Sequence, residues 1–477
     1  MTDAGGNADA ETFVSWREFL GSPYAPSLAL VCLAVWLHAA DSLIVATMMP
    51  AIVGDIGGAA LIGWSVSLYE TGSIVAGAAS ALLTMRYGLR GPMSLAAALF
   101  AAGCVLSAIS PTMPLLLAGR ALQGLGGGGL VSMGFVAVGV IFPRRYTART
   151  LAAVSTLWGV SAFLGPLIGG LFVEYANWRL GFGFFATQAF ALSLWIAARS
   201  DPGRPERQSA DAGFPLRRLA ILSLAIILVA SGGVEIDLAR TTTCVAGGLI
   251  CLAVFIRLDR NAAGNRLFPL RPFDPRHTTG AALLMILSMT MATIAMTAFG
   301  PLLIIAVHGV SPLAAGYTVA FTAFGWTIMA LVVSGSPERL DRRFIAIGMV
   351  VVASSTVGFV YAVPEGPVWL IALLAAIRGG GFGMAWTFIL RRVTASCDPS
   401  EIHRVSGAIP TVQRLGYALG AAYLGIVANA SGILKMETPA EAADVTRWIF
   451  LACLPFAGLG LFAMTSLVRG RTPGTVR

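Results

Sequence analysis

Residues 27–50 read SLALVCLAVWLHAADSLIVATMMP, a run of 24 residues whose only carboxylate is that of Asp41. A hydrocarbon core about 30 Å thick is crossed by about 20 residues of α-helix. Backbone groups in lipid must hydrogen-bond one another, so a helix is the expected form. The stretch therefore predicts a membrane-spanning helix that carries an ionisable side chain at bilayer depth.

The composition of the whole chain agrees with that helix. Of its 477 residues, 57% are hydrophobic and only 12% are charged, whereas about 25% of a soluble domain is charged. The formal net charge is +9, but the arginines lie in short loops between apolar runs, where they act as topology signals. We therefore expect a lipid bilayer, and no nucleic acid, as the surroundings of this protein.

The cysteines and glycines exclude several other classes. The six cysteines show no paired spacing, so we expect free thiols, no metal site and no cofactor. No glycine-rich phosphate loop is present, which argues against ATP-driven chemistry. The N-terminus lacks a charged-then-apolar leader, and we expect no cleaved signal peptide.

Apolar runs separated by polar loops predict an all-α polytopic membrane protein with fourteen transmembrane helices. The predicted spans are residues 28–50, 62–84, 92–110, 114–141, 148–173, 180–198, 217–233, 242–257, 278–306, 313–334, 344–362, 367–390, 405–430 and 446–468.

These spans predict five segments. They are an N-terminal segment at 1–27, a six-helix bundle at 28–200, linkers with two inserted helices at 201–275, a second six-helix bundle at 276–468 and a tail at 469–477. The two inserted helices make the plan two six-helix bundles plus two extra central helices.

The distribution of positive charge predicts the orientation. With the N-terminus in the cytoplasm, 25 of the 32 lysines and arginines lie inside, four lie outside and three lie within helices. A miscounted helix would exchange the sides of every later loop and remove this asymmetry. We therefore expect a multi-pass protein of the cell (inner or plasma) membrane with both termini cytoplasmic.

The two bundles share an order of features that indicates an internal duplication. The fourth helix carries RALQGLG at 120–126, and the twelfth carries RGGGFG at 378–383. The short loops RYGLR at 86–90 and RLDRR at 339–343 also correspond. Two repeated halves with a binding site between them at the midplane are a frequent plan of membrane transporters.

Five charged side chains lie at bilayer depth, where each costs a few kcal/mol unless it pairs or lines an aqueous path. They are Asp41, Glu70, Arg120, Arg378 and Arg414. From the rise per residue, Asp41, Glu70 and Arg120 lie about 13, 12 and 9 Å below the outer surface, so we expect them to meet in one layer. They form either a proton-exchanging site with a pKa tuned by the arginine or a buried ion pair that fixes helix packing.

Other polar and aromatic side chains extend this site. His38 shares a helix face with Asp41 and either relays protons or is simply hydrogen-bonded. Arg378 and Arg414 serve either substrate or packing. An aromatic pocket for a flat or lipophilic substrate is one interpretation of several side chains that otherwise pack the bundle: Trp64, Trp158, Tyr317, Phe321, Phe324, Trp326, Trp386 and Tyr417.

Three stretches resemble the fourteen-helix drug:proton antiporters (EmrB/QacA type) of the major facilitator superfamily. DSLIVATMMP at 41–50 is similar to the first-helix motif of that family, and LAGRALQGLG at 117–126 is similar to its fourth-helix motif. GVSAFLGPLIGG at 159–170 resembles the fifth-helix motif of exporters. The matching positions of this antiporter motif are Gly159, Gly165, Pro166, Gly169 and Gly170.

The resemblance implies a secondary transporter, not an enzyme, that exports lipophilic or cationic small molecules by proton-coupled antiport. It implies proton handling at Asp41, with Arg120 as the motif arginine. A periplasmic adaptor protein is a further expected partner if the source is a two-membrane bacterium. Export of an endogenous metabolite, lipid or siderophore is the alternative, and a membrane-embedded transferase or a sensor is a remote one.

The loop after the second helix departs from the family pattern Gly-x-Leu-x-Asp-Arg-x-Gly-Arg-Arg. Here residues 81–90 read ALLTMRYGLR, so Met85 replaces the acid and Leu89 replaces an arginine. Arg86, Gly88 and Arg90 remain and could bind helix ends or lipid phosphate. The resemblance implies that the acid of this loop latches the cytoplasmic side in the outward-facing state. Its absence here slightly favours the endogenous-substrate alternative, which stays second to drug export.

The predicted topology can be checked with reporter fusions. Fusions after Arg207 and after Arg404 should report a cytoplasmic location, and a fusion after Pro439 should report an external one, because positive loops stay inside. A cytoplasmic signal at Pro439 would contradict the count of fourteen spans.

Overall fold

The computed structural model describes residues 15–199, 215–262, 266–333, 336–395 and 402–469, and these residues form helices joined by short loops. Eleven of the described helices are long and apolar enough to cross a membrane. The all-α polytopic fold is therefore confirmed. Most of the predicted N-terminal segment, the first linker and the tail lies outside the described residues.

The helices are numbered in chain order. The first half contains α1 (Trp16–Leu20), α2 (Ala25–Ile56), α3 (Ile62–Tyr87), α4 (Arg90–Ala108), α5 (Met113–Ile141), α6 (Arg144–Tyr175) and α7 (Trp178–Ala198). The central pair is α8 (Leu216–Ser231) and α9 (Leu238–Arg260). The second half contains α10 (Thr278–Ala298), α11 (Gly300–His308), α12 (Pro312–Val333), α13 (Asp341–Ala362), α14 (Val368–Ala395), α15 (Ile402–Ala430), α16 (Pro439–Leu451) and α17 (Leu454–Arg469).

Two predicted spans are interrupted in the structure. The span at 278–306 is divided between α10 and α11, and the span at 446–468 begins in α16 and ends in α17. Pro301 and Pro455 follow the two breaks, and proline lacks the N–H that would continue the hydrogen-bond ladder. Both interruptions therefore have the same local cause.

Three predicted spans fall on helices that are not among those eleven, namely α3, α8 and α15. Helix α8 has only 16 residues. Helices α3 and α15 are long but carry polar residues such as Glu70 and Arg414, because they face each other between the halves. The count of fourteen spans stays a prediction.

Helix packing repeats between the halves. In the first half, α2 packs on α6, α3 on α5, and α4 on both α5 and α7. In the second half, α10 packs on α15, α12 on α14, and α13 on both α14 and α17. The halves meet where α3 packs on α15 and where α6 packs on α12. The internal repeat relates α3 to α12 and α6 to α15, so it converts each of these contacts into the other.

Glycines set the register of this repeat. Gly124 of α5 lies against the backbone of α3, and Gly379 of α14 lies against the backbone of α12, each so closely that a side chain would overlap it. A second glycine follows each after one turn, at Gly128 and Gly383, with the same contact. In this register, residue 378 corresponds to residue 123 of the first half. Arg378 is therefore not the counterpart of Arg120, but lies about one turn from that position.

A buried ion pair anchors the central helices. Arg218 at the start of α8 donates to Asp259 near the end of α9. Asp259 also accepts from the backbone N–H groups of Leu267 and Phe268, each at 2.9 Å. One carboxylate thus ties α8, α9 and the segment before α10 together.

The glycines of α6 face two neighbours. A Cβ on Gly169 would lie 3.1 Å from the carbonyl oxygen of Ile44 in α2, and one on Gly165 would lie 2.9 Å from Leu43 Cβ. Gly170 instead faces Leu313 of α12, at 2.8 Å from its Cδ1. Helix α6 therefore packs on α2 of its own half and on α12 of the other half, and it uses different glycines for the two contacts.

The substitution Gly169→Leu should abolish transport while leaving membrane insertion intact, because its side chain would push α6 away from α2. Gly139→Leu is the matched control, since Gly139 of α5 has open space around its Cβ position. Substrate flux in vesicles with equal amounts of protein measures the effect. Normal flux through Gly169→Leu would show that the close approach is dispensable.

Candidate functional site

An ion pair lies inside the first half. Arg120 of α5 donates to Asp41 of α2 at 2.5 Å, and the two side chains are only 3% and 2% exposed. Arg120 also donates to Gln123 at 2.5 Å. Removing one partner of such a buried pair typically costs about 3–5 kcal/mol, so this contact holds α5 to α2. The structure thus brings together two of the three charges that the sequence places in one layer.

Tyr69 of α3 continues the site from Arg120 to His38. The guanidinium carbon of Arg120 lies 4.3 Å from the centre of the Tyr69 ring, a cation–π contact. The Tyr69 hydroxyl lies 2.8 Å from His38 Nδ1 and 3.3 Å from the His38 carbonyl oxygen. Tyr69 had no part in the site inferred from sequence, because nothing in the sequence shows that it lies between these two residues.

His38 then contacts the other half. Its Nε2 lies 3.1 Å from Nη2 of Arg414 in α15. Guanidinium has only donors, so Nε2 must accept and the imidazole must be neutral, with its proton on Nδ1. The Nδ1–H donates to the Tyr69 oxygen, whose own proton is left for the His38 carbonyl. The hydrogen bonds therefore assign one tautomer to His38.

Glu70 completes the network. The same Arg414 donates to Glu70 at 3.3 Å, and the side chains are 19% and 13% exposed. Glu70 therefore pairs across the halves, whereas the sequence placed it in one layer with Asp41 and Arg120. We refer to Asp41, Arg120, Tyr69, His38, Arg414 and Glu70 as the charge network. It runs without interruption from the interior of the first half to the boundary between the halves.

The charge network is partly exposed at its end between the halves, and we call the accessible space beside Trp158 the open space. Trp158 of α6 packs edge-on against His38, with ring centroids 6.1 Å apart, yet 43% of its surface is exposed. Glu70 and Arg414 are also partly exposed, unlike Asp41 and Arg120. A ligand that reached Trp158 would therefore meet the charge network at its end between the halves.

The other predicted aromatic residues fall into separate groups. Tyr317 and Phe324 of α12 contact Phe163 of α6 at 5.8 and 6.2 Å, and Phe321 lies 5.7 Å from Phe324. Trp386 lies 5.7 Å from Trp326 within the second half. Trp64 packs against two hydrophobic clusters, both of which contain residues of both halves. The Tyr417 hydroxyl accepts from Gln413 at 3.2 Å. The structure thus places these rings in separate groups, some where α6 meets α12 and others within the second half.

Arg378 differs from Arg120 and Arg218 in the partners that it has among the described residues. It donates to the Thr293 carbonyl oxygen at 3.0 Å and to Thr322 Oγ1 at 2.9 Å, and it lies over the Phe359 ring. Its Nε is buried without a hydrogen-bond partner. Its partners in the described part of the chain include no carboxylate, so its charge is balanced only by dipoles.

The loop between α3 and α4 lies at the end of the bundle where α2 begins and α7 ends, which we call the arginine-rich face. Gly88 ends α3 with a φ of 78°, a left-handed conformation that favours glycine. Arg86 lies 5.4 Å from the ring of its neighbour Tyr87, and Arg90 donates to the carbonyl oxygen of Ala197 in α7. The retained motif residues therefore reach α7 through Arg90.

The profile of the Major Facilitator Superfamily matches residues 31–421, and a second match covers residues 281–477. The chain belongs to the major facilitator superfamily. Members of this superfamily are transporters, so the protein is a multi-pass membrane transporter of small molecules and not an enzyme.

Named relatives lie within the same superfamily. A probable multidrug-efflux transporter of Mycobacterium tuberculosis (strain ATCC 25618 / H37Rv) is 29% identical over 462 residues, 94% of this chain and 95% of that protein. A protein named for multidrug resistance, MdtD of Cronobacter sakazakii, is 26% identical over 458 residues, with the same two shares. The alignments span nearly the whole length of both relatives.

Solved structures of superfamily members share the fold. A peptide transporter, POT, in complex with sulfate has a TM-score of 0.66 at 18% identity and covers 94% of this chain and 96% of its own. The nucleoside transporter NupG has a TM-score of 0.64 at 12% identity and covers 92% and 99%. At these identities the likeness concerns the fold alone.

Arg414→Gln should loosen the contact between the halves, because it removes the cation that faces both His38 and Glu70. Spin labels at Leu83 of α3 and Gly407 of α15, both exposed, would report the separation after the native cysteines are replaced. We expect a second, longer distance population in double electron–electron resonance. Arg447→Gln, which breaks an exposed ion pair with Glu365, is the control. An unchanged distance distribution in Arg414→Gln would remove Arg414 from the inter-half contact.

Proposed function

We propose that this superfamily member is a fourteen-span, proton-coupled antiporter that exports lipophilic or cationic small molecules by alternating access. The observation that carries the proposal is the unbroken charge network from Asp41 to Glu70. It joins a buried carboxylate in one half to an arginine of the other. The proposed topology keeps both termini in the cytoplasm and treats α8 and α9 as the two inserted helices.

Protonation of Asp41 is the proposed coupling step. The ionised carboxylate attracts Arg120, whereas the neutral acid can only hydrogen-bond to it. A proton that binds Asp41 therefore weakens the contact between α2 and α5, and Arg120 keeps Gln123 as its acceptor. The proton leaves on the other side of the membrane when the pair forms again.

His38 and Glu70 transmit the change to the boundary. If His38 takes up a proton at Nε2, that nitrogen no longer accepts from Arg414 and two cations face each other. If Glu70 takes up a proton, Arg414 loses its anionic partner. The first event weakens the contact of α15 with α2, and the second weakens its contact with α3. Either one loosens the boundary between the halves, whose rocking alternating access requires.

Competition for Glu70 would make the exchange an antiport. A lipophilic cation in the open space could stack on Trp158 and take the place of Arg414 beside Glu70. A proton on Glu70 excludes the cation, and a bound cation excludes the proton. Efflux names among the relatives support this direction of transport without defining the substrate.

The second candidate function is export of an endogenous metabolite, lipid or siderophore. Two observations favour it: the loop carries Met85 where the resembling family has an acid, and Arg378 has no carboxylate partner among the described residues. A buried arginine without an anion suits a substrate with an acidic group. Flux assays with cationic dyes and with acidic metabolites would separate the two functions. An adaptor protein as a partner in a two-membrane bacterium stays a prediction.

The substitution Asp41→Asn should retain substrate binding but abolish export driven by a pH gradient, because asparagine preserves the shape and fixes a neutral state. Asp41→Glu should keep part of the export. The measurement is flux in reconstituted vesicles with and without an imposed pH gradient, at wild-type protein amounts.

Glu365→Gln is the matched control, since Glu365 lies in an exposed ion pair with Arg447 and exposed pairs contribute little. Undiminished proton-driven flux through Asp41→Asn would exclude Asp41 as the coupling residue and leave Glu70 as the next candidate. If flux through the wild-type protein is the same with and without the imposed pH gradient, transport is not proton-coupled.

A further inference from the structure

A cavity lies at the arginine-rich face, away from the charge network. It is enclosed by the start of α2, the start of α4, the end of α5 and the end of α7. Its walls are apolar and mostly buried: Leu30, Val31, Met93, Ala137, Ile141 and Ile196. Nothing in the proposed transport cycle uses this space.

Two arginines stand at the mouth of the cavity. Arg199 donates to Ser27 Oγ at 2.9 Å, and its guanidinium carbon lies 5.9 Å from the ring centre of Trp195. Arg90 donates to the carbonyl oxygen of Ala197. Both have only neutral partners in the part of the chain that the structure describes, so their charges remain available to an anion.

The two features together define the chemistry of a ligand. A free phosphate would satisfy the arginines but gain nothing from the apolar walls, and a neutral lipid would fill the walls but leave the arginines without an anion. The mouth lies at the helix ends, where lipid headgroups are expected. Basic pockets between transmembrane helices at that level are suited to anionic headgroups.

We propose that this cavity binds an anionic phospholipid, with its phosphate on Arg90 and Arg199 and the upper part of one acyl chain between α2, α4, α5 and α7. The altered loop fits this role. Met85 stands where the resembling family carries an acid, and it is 42% exposed, so no carboxylate at that position competes with the phosphate for the arginines.

Bound lipid should stabilise the protein, because a ligand that binds only the folded state raises the unfolding temperature. The full chain in a neutral detergent would be titrated with dioctanoyl phosphatidylglycerol while its thermal midpoint is followed. Matched titrations would use dioctanoyl phosphatidylcholine, dioctanoylglycerol and inorganic phosphate. We expect a saturable rise with phosphatidylglycerol and a much smaller one with each of the other three.

The variants Arg90→Gln and Arg199→Gln should each weaken phosphatidylglycerol binding about fivefold, since a basic residue near a lipid phosphate contributes about 1 kcal/mol. Arg217→Gln is the control, because Arg217 is exposed at the start of α8 and does not line the cavity. Ala137→Leu fills the cavity without changing charge and should also weaken binding. If the glutamine variants fail to fold, Arg90→Lys and Arg199→Lys keep the charge and should retain the response.

Three results would overturn the proposal. An equal effect of inorganic phosphate would assign the arginines to a free anion, and an equal effect of dioctanoylglycerol or phosphatidylcholine would reduce the site to an apolar groove. An undiminished response in Arg90→Gln together with Ala137→Leu would place the lipid elsewhere. Since stability is measured without transport, failure here is distinct from failure of the antiport mechanism.

Discussion

An arginine in the membrane must find acceptors, and Arg414 finds both of its acceptors, His38 and Glu70, on the opposite half of the molecule. Each half therefore leaves a charge that only the other half compensates. Because water is scarce at that depth, separating the halves without neutralising one of these groups leaves a charge unpaired. The stability of the boundary between the halves thus depends on the protonation states of His38 and Glu70.

Close helix packing supports this arrangement. Gly124 and Gly379 allow α5 and α14 to lie against α3 and α12, and the glycines of α6 allow it to touch α2 and α12 at once. Close packing at these glycines makes each half rigid, so that a change at one helix contact moves whole helices. The central helices α8 and α9 lie beside this assembly, with α8 on α15 and α3.

The two halves repeat in packing but not in charge. The first half contains the buried pair of Asp41 and Arg120. Arg378 in the second half lies one turn from the equivalent position and, among the described residues, donates to two threonine oxygens and lies over the Phe359 ring. A duplicated scaffold with different charges in its halves can assign protons to one half and substrate recognition to the other. Arg90 and Arg199 at the arginine-rich face give charge a third role, which is the proposed binding of a lipid phosphate.

The sequence by itself determined the membrane class and the all-α fold, because apolar runs are local properties; its division into two six-helix halves stays a prediction. It also singled out Asp41, Arg120, Glu70 and His38, since a polar group in an apolar run is visible without a structure. Only the tertiary structure decided the partners. Glu70 pairs with Arg414, 344 positions away, and Tyr69 joins Arg120 to His38, because helix neighbours in space are not set by any local pattern. The one-turn offset of Arg378 likewise emerged only when the helices were packed together, because the glycine contacts between helices define the register of the repeat.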